Sequence, residues 1–409
     1  METVLFLCHR IPFPPNKGDK IATYHRLKYL NERYNVVLGC FIDDANDFQY
    51  IPNVEALCDE LHVVDLCNKS NVLTGIASLL KAKPVSTFFY ESDSMQNWVD
   101  DVVKRKGIER LYAYSASASQ FIEGEQYASH KRVLDMTDVD SDKWRQYAQK
   151  KPFYSSWIYS RESNLLSRYE QQILSKFDAV TLVTSEERDL FKQMSPSSQH
   201  EKIYTLENGV DTEYFDIDAS YDETDKPSPE HEFICFTGAM DYWANVDAVV
   251  WFAEKVWPQL RAQKPNLYFY IVGGNPSSAV SALANIEGIV VTGRVVDVRP
   301  FVARSLLCVA PLRIARGVQN KILEAMSMSK PVVMTSMGQE GIELPEEQLS
   351  FVLDEPSQQV GAIMSLINDK DARDKLGNKN RSWILSRYSW NSALTFLSEL
   401  LERNRNNKK

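Results

Sequence analysis

Short apolar runs alternate with amphipathic stretches along the whole chain, and this alternation constrains the fold more than any single residue does. In the first half Val4–Cys8, Val36–Phe41, Leu61–Leu66, Arg110–Tyr114, Arg132–Met136, Ala179–Thr184 and Ile203–Leu206 read as strands, with helical patterns between most of them. Strands of this kind separated by helices predict a parallel sheet covered on both faces. The second half starts the pattern afresh: 233–237 ends at Gly238, 267–272 at Gly273-Gly274 and 288–292 at Gly293. Strands released into glycine at one edge let a ligand approach the backbone closely. No GxGxxG follows the first of them, which argues against a nicotinamide cofactor. A length of 409 residues exceeds one ordinary core and predicts two domains of nearly equal size, separated by the polar, proline-rich stretch 216–232.

Apolar content of 44% is that of a globular protein, and a net charge of −9 without a basic stripe excludes a nucleic-acid binder. The tail Arg403, Arg405, Lys408, Lys409 reads as a solvated helix end or as a contact with anionic lipid. Six cysteines without CxxC spacing predict a reducing cytosol. No apolar run reaches the roughly 18–20 residues of a membrane span, so membrane association is expected to be peripheral.

The stretch Arg313–Val333, RIARGVQNKILEAMSMSKPVV, concentrates the chemistry. Ile322, Leu323, Ala325, Met326 and Met328 are the apolar positions of a short helix starting near Gly317, and Pro331 ends it before a buried strand. Arg316, Asn320 and Lys321 cluster at its N-terminus, where free N–H groups and the helix dipole favour an anion. Glu324 projects from the same face as Asn320.

In the first half, the loop 9–20 carries three prolines and Gly18 ahead of the helix 21–30, at an edge where α/β sheets hold ligands. Gly18 permits a turn or a close approach. The strand 132–136 is followed by TDVDSDKW, in which Asp138 and Asp140 either cap the next helix, contact substrate or bind metal; the calcium-loop glycine and glutamate are missing. In the segment from Pro152 to Leu174, Phe153, Tyr154, Trp157, Ile158 and Tyr159 pack between helices or form a surface for a lipid-linked acceptor. Asn208-Gly209 marks a tight turn before the linker.

EAMSMSKPVV with a charged residue eight positions before Glu324, NGVD followed by an aromatic, the run GAMDYWANVDAVVWFAEKVWP, and Gly293-Arg294-Val295 ahead of Asp297-Val-Arg-Pro-Phe together resemble glycosyltransferase family 4, retaining enzymes of GT-B fold. RGVQNK resembles the sugar transferases of exosortase/PEP-CTERM exopolysaccharide loci. The resemblance implies an α/β chain of two Rossmann-like domains facing a central cleft. Residues 1–207 would form the acceptor-side domain, with the helix 388–403 crossing back, 208–231 the linker and 232–387 the donor-binding domain.

It further implies that Glu324 holds the nucleotide ribose, that Gly18 and Gly238 approach the donor phosphates, and that the main chain at Val295, beside Arg294, meets the base. The first glutamate of the family's donor motif is Arg316 here, and the usual histidine at the fifth strand end is Asp138. The loop 238–245 lacks the family's arginine and lysine. Arg316 and Lys321, assisted by Arg294 or Arg313 and near Asn320, are therefore expected to neutralise the leaving diphosphate, with Asp138 or Asp140 at the acceptor. No metal or cofactor is implied beyond a nucleotide-sugar co-substrate. The expectation is a cytoplasmic hexosyltransferase, peripheral at the inner face of the membrane, acting on a glycan or polyprenyl-linked acceptor with retention. A non-catalytic nucleotide- or sugar-binding module, an epimerase and a phosphorylase on the same fold are the alternatives.

Overall fold

The computed structural model describes residues 1–69, 78, 81, 83–150, 153–315 and 318–402, with backbone alone at 150 and 153–155. Among them two parallel sheets form, one in each of two units: Met1–Asn208 with Ala393–Lys409, and Gly209–Ser392.

The first unit holds β1 (Thr3–Cys8), β2 (Asn35–Ile42), β3 (Glu60–Asp65), β4 (Arg110–Tyr114), β5 (Lys131–Thr137), β6 (Ala179–Leu182) and β7 (Ile203–Thr205) in the order β3-β2-β1-β4-β5-β6-β7. Helices α1 (Gly18–Asn31), α2 (Asp93–Lys106), α3 (Asp140–Lys150), α4 (Phe153–Lys176) and α5 (Ser185–Met194) connect them. Leu5 stands in register with Val37 on one side and Leu111 on the other. These residues meet Val99 of α2 and Ile173 of α4 in one dry core, which is why each strand reads as apolar throughout. On the opposite face of the sheet an ion pair is buried. Arg26 and Asp135, neither exposed at all, meet at 2.7 Å, and Asp135 also accepts from the Tyr112 hydroxyl at 3.0 Å and the Thr137 amide at 3.2 Å.

The second unit holds β8 (Glu232–Thr237), β9 (Leu267–Val272), β10 (Ile289–Gly293), β11 (Cys308–Ala310) and β12 (Val332–Met334) in the order β10-β9-β8-β11-β12. Its helices include α6 (Trp243–Lys255), α7 (Trp257–Gln263), α8 (Asn320–Ser327), α9 (Pro356–Asn368) and α10 (Lys370–Arg387). α8 starts at Asn320, later than the expected Gly317, which lies with Arg316 outside the described residues. The interior strand β11, between β8 and β12, is the one strand the sequence reading did not name. The last helix, α11 (Trp390–Glu402), enters the first unit from Ala393, where Ser398 hydrogen-bonds Tyr29 at 3.0 Å.

Both sheets reverse direction beside their first strand, between β1 and β4 and between β8 and β11. In open α/β sheets such a switch point leaves a crevice at the carboxyl ends of the strands.

Candidate functional site

In the second unit, the strand ends at the switch point carry glycine, one lysine and one glutamate. Lys321, in the first turn of α8, sends its ammonium 4.4 Å above the Phe236 ring and donates to Asn245 Oδ1. Asn245 in turn donates to the Ala239 carbonyl at 2.9 Å, so the loop after β8 is tied to the lysine. A Cβ at Gly238 would stand 3.1 Å from Nζ and 2.7 Å from Asn245 Nδ2, and one at Gly273 would stand 1.7 Å from the Gly238 carbonyl oxygen. Glycine at both positions is what lets lysine, loop and β9 come this close.

No carboxylate lies within ion-pair distance of Lys321 among the described residues, and burial pulls its ammonium down to about 8, against the pull of Glu324. Burial pushes the Glu324 carboxyl up to about 7, opposed by Lys321. The Glu324 carboxyl accepts no hydrogen bond among the described residues. A desolvated cation and a desolvated carboxyl on one helix face, each short of partners, favour a ligand with an anionic part and hydroxyls.

The other expected cations separate. Arg313 is taken up by Asp247, its Nε 2.9 Å from Oδ2, and lies over Trp251. Arg294 is exposed after β10, beside Gly274, and has no hydrogen-bond or ion-pair partner among the described residues. Val295 packs against the core from the same loop, and Asn320 is exposed at the start of α8. Sequence reasoning missed a wall beside this loop. Asp297, buried, grips Arg299 through Nε at 2.9 Å and Nη2 at 2.6 Å, and the guanidinium lies 3.7 Å from the ring centre of Tyr214. The DVRP spacing was the available signal for the Asp297–Arg299 pair; nothing local pointed to Tyr214.

In the first unit the edge is ionic. Asp138 and Asp140 do not cap α3. The Val139 amide donates to Glu187 at 2.8 Å, and the Ser141 amide and hydroxyl donate to Glu170 at 3.1 and 2.5 Å. Lys143 instead meets Asp138 at 2.6 Å and Asp140 at 3.3 Å. Desolvation raises the Asp140 carboxyl, against the pull of Lys143. Glu170 is fully buried and burial pushes it up to about 8, opposed by the Ser141 donors. Among the described residues no cluster of His, Cys, Asp and Glu could hold a metal ion. Gly18 is the first residue of α1, and a Cβ there would touch nothing, so no contact within the chain demands glycine.

Of the aromatic segment, Tyr159 packs on Trp144 at 5.7 Å, while Trp157 and Ile158 are exposed; the side chains of Phe153 and Tyr154, like the basic tail, lie outside the described residues. Among the described residues no helix is long and apolar enough to cross a membrane. A cavity of about 1020 Å³ lies at the opposite, amino ends of β4 and β5, lined by Arg110, Lys131, His130 and Tyr127. Its Arg110 is paired with Glu2 at 2.7 Å.

This architecture has solved counterparts. A mutant form of S. aureus TarM, in complex with Fondaparinux, alpha-GlcNAc-glycerol and UDP, superposes with a TM-score of 0.60 at 12% identity, covering 98% of this chain and all of that one (100%). HepE from Anabaena, in complex with UDP and glucose, gives 0.59 at 15% identity over 98% and 99% of the two chains. Sucrose-phosphate synthase from Thermosynechococcus elongatus gives 0.56 at 15% identity over 98% of each. The fold is therefore GT-B, built of two Rossmann-like domains. Within it, residues 231–369 match the family described as Glycosyl transferases group 1, a stretch that contains Gly238, Arg294, Lys321 and Glu324. No curated protein sequence matches the chain.

Proposed function

We propose that the protein is a glycosyltransferase that moves a hexosyl group from a nucleotide-diphosphate sugar to a glycan or lipid-linked glycan acceptor in exopolysaccharide or other cell-surface polysaccharide synthesis. The observation that carries this reading is the Lys321–Asn245–Gly238 arrangement with Glu324 one turn along the same helix, inside the matched stretch. As the glycosidic C–O bond breaks, negative charge collects on the diphosphate, and a preorganised ammonium held against a glycine loop stabilises it. Glu324 takes the ribose hydroxyls and Arg294, without a partner among the described residues, reaches the donor from the loop after β10. Arg313 contributes less than the sequence suggests, since Asp247 neutralises it. Retention is what the family 4 resemblance implies. A cytoplasmic protein resting at the inner face of the membrane accords with exposed Trp157 and Ile158.

A second reading, a non-catalytic nucleotide-binding module, is favoured by the loop 238–245, which has no cation of its own. A thermal-shift panel of UDP, GDP, ADP and their sugar conjugates, with and without Mg²⁺, tests both, since a ligand that binds only the folded chain raises its melting temperature. A selective shift that is lost in Lys321→Met, together with transfer to a glycan acceptor, supports the transferase. A shift without transfer or donor hydrolysis supports the module, and no shift with any nucleotide sinks both.

A further inference from the structure

The switch-point crevice of the first unit holds an imidazole and a hydroxyl that the donor site leaves unexplained. His9 follows β1 and Ser115 follows β4, the neighbouring strand. The His9 ring is fixed by the Tyr114 ring stacked at 6.0 Å and the Tyr90 ring edge-on at 5.7 Å. Its Nε2 faces Asp19 Oδ2 at 3.5 Å. Asp19 is itself held by Arg10 at 2.9 Å, and Arg10 is held by Asp43 at 2.8 Å. A carboxylate only accepts, so in the neutral ring Nε2 carries the proton and Nδ1 keeps its lone pair. That Nδ1 is shielded from bulk water and has no hydrogen-bond partner, and the same holds for Ser115 Oγ. Ser115 also has φ of 78°, in the left-handed region that a residue with a side chain seldom adopts. A buried polar atom left without a hydrogen bond is destabilising, and a ligand that supplies the bond removes that cost.

The charges around the crevice say what could complete it. Asp19, Asp43, Asp138 and Asp140 face two cations, Arg10 and Lys143. An excess of carboxylate repels a diphosphate, and the groups on offer are acceptors: a lone pair on His9 and the oxygens of Asp138 and Asp140. A ligand rich in hydroxyl donors and free of charge complements them. We propose that the crevice between the ends of β1 and β4 is a sugar-hydroxyl subsite, in which His9, oriented by Asp19, accepts a hydrogen bond through Nδ1 and Ser115 Oγ binds a neighbouring hydroxyl. The hydroxyls belong to the acceptor glycan. The subsite rests on the glycosyltransferase reading for the source of its sugar, and on the geometry of the first unit for its existence.

The test is saturation-transfer NMR on the full chain with methyl glycosides of glucose, galactose, mannose and N-acetylglucosamine, using UDP as the control for the second unit. Three variants are compared: His9→Phe, which keeps the packing between Tyr90 and Tyr114 but has no acceptor atom; His9→Asn, whose amide oxygen can stand where Nδ1 stands; and Asp19→Asn. A glycoside signal in the wild type, reduced about fivefold to tenfold in His9→Phe, largely kept in His9→Asn and weakened in Asp19→Asn, with UDP binding unchanged throughout, supports the subsite. No glycoside signal in the wild type overturns the proposal, as does an equal signal in His9→Phe or an equal loss in the folded His9→Asn and His9→Phe variants. Glycoside binding without binding of UDP, GDP or ADP would sink the transferase reading and leave the subsite standing.

Discussion

The two units share one topology and differ in what their strand ends carry. Around each switch point the order is the same, β3-β2-β1-β4-β5 in the first and β10-β9-β8-β11-β12 in the second. In the first, the edge is crowded with polar and charged side chains: Asp19 and Asp43 against Arg10, Asp138 and Asp140 against Lys143, and His9 beside Asp19, together with a buried Arg26–Asp135 pair. In the second, glycine clears the edge down to the backbone, and among the described residues no carboxylate lies within ion-pair distance of Lys321. An edge of carboxylates suits hydroxyl donors, and an edge of amides with one under-solvated ammonium suits a phosphate oxyanion. Topology places both crevices; composition at the strand ends decides the ligand.

The largest expected effect breaks one side of this comparison alone. Asp135→Asn removes the carboxylate that meets the unexposed Arg26 guanidinium at 2.7 Å, and breaking a buried pair in this way costs about 3–5 kcal/mol. Urea unfolding should show that loss. If unfolding proceeds in two transitions, the loss falls on the first unit, and the nucleotide-dependent stabilisation of the second persists. An unchanged denaturation profile would mean that the pair contributes nothing net.

Lys321→Met works the other way round. Removing the ammonium from beside Gly238 should lower kcat/KM for the donor about a hundredfold, in the range seen when one preorganised charge-stabilising donor is removed. Stability should hold or rise slightly, because the charged form is already disfavoured by burial. Calorimetry and steady-state rates check it together; a loss of stability in step with rate would reduce Lys321 to a structural residue. Gly273→Ala attacks the same contact through the backbone, since its Cβ has no room beside the Gly238 carbonyl oxygen. It should weaken nucleotide binding without touching glycoside binding in the first unit.

How far the sequence foretold this depends on the range of each contact. Strands buried on both faces announce themselves as apolar runs, so the first sheet was legible strand by strand. β11 was not, because Cys308–Ala310 is only three residues within the longer apolar run 306–312. Lys321 and Glu324 were legible from helical spacing, whereas the Asn245 that orients the lysine lies 76 residues away. The pairing of Arg313 with Asp247 spans 66 residues and reversed the standing of a cation that looked free. Asp138 and Asp140 stood undecided between capping and contact until Glu170 and Glu187 arrived from other helices to take the amides of the first turn of α3. Local patterns report elements and their faces; the state of a charged side chain is set by partners that no local window contains.

The smallest expected effect is a pH dependence, and it sharpens the contrast most finely. Lys321 has its pKa lowered to about 8, so it is fully charged below that pH and loses its proton as pH rises through it. If the ammonium holds the nucleoside diphosphate, affinity should fall above pH 8, by at most about tenfold per pH unit for a single proton, a break separate from the ionisation of Glu324 at about 7. The bound anion stabilises the charged form, so the break should move upward in the complex. For folding the sign is opposite: the unfolded chain keeps the lysine protonated up to about 10.4, so between about 8 and that value the unfolded state binds more protons and the lysine's contribution to stability rises with pH. Glycoside binding in the first unit depends on no lysine at its Nδ1 acceptor and should show no break at 8. Titrations of UDP and of a methyl glycoside over pH 6.5–9.5 with wild type and Lys321→Met would separate the two edges, and a shared break in both, or a UDP break that survives in Lys321→Met, would show that the ammonium is not what distinguishes them.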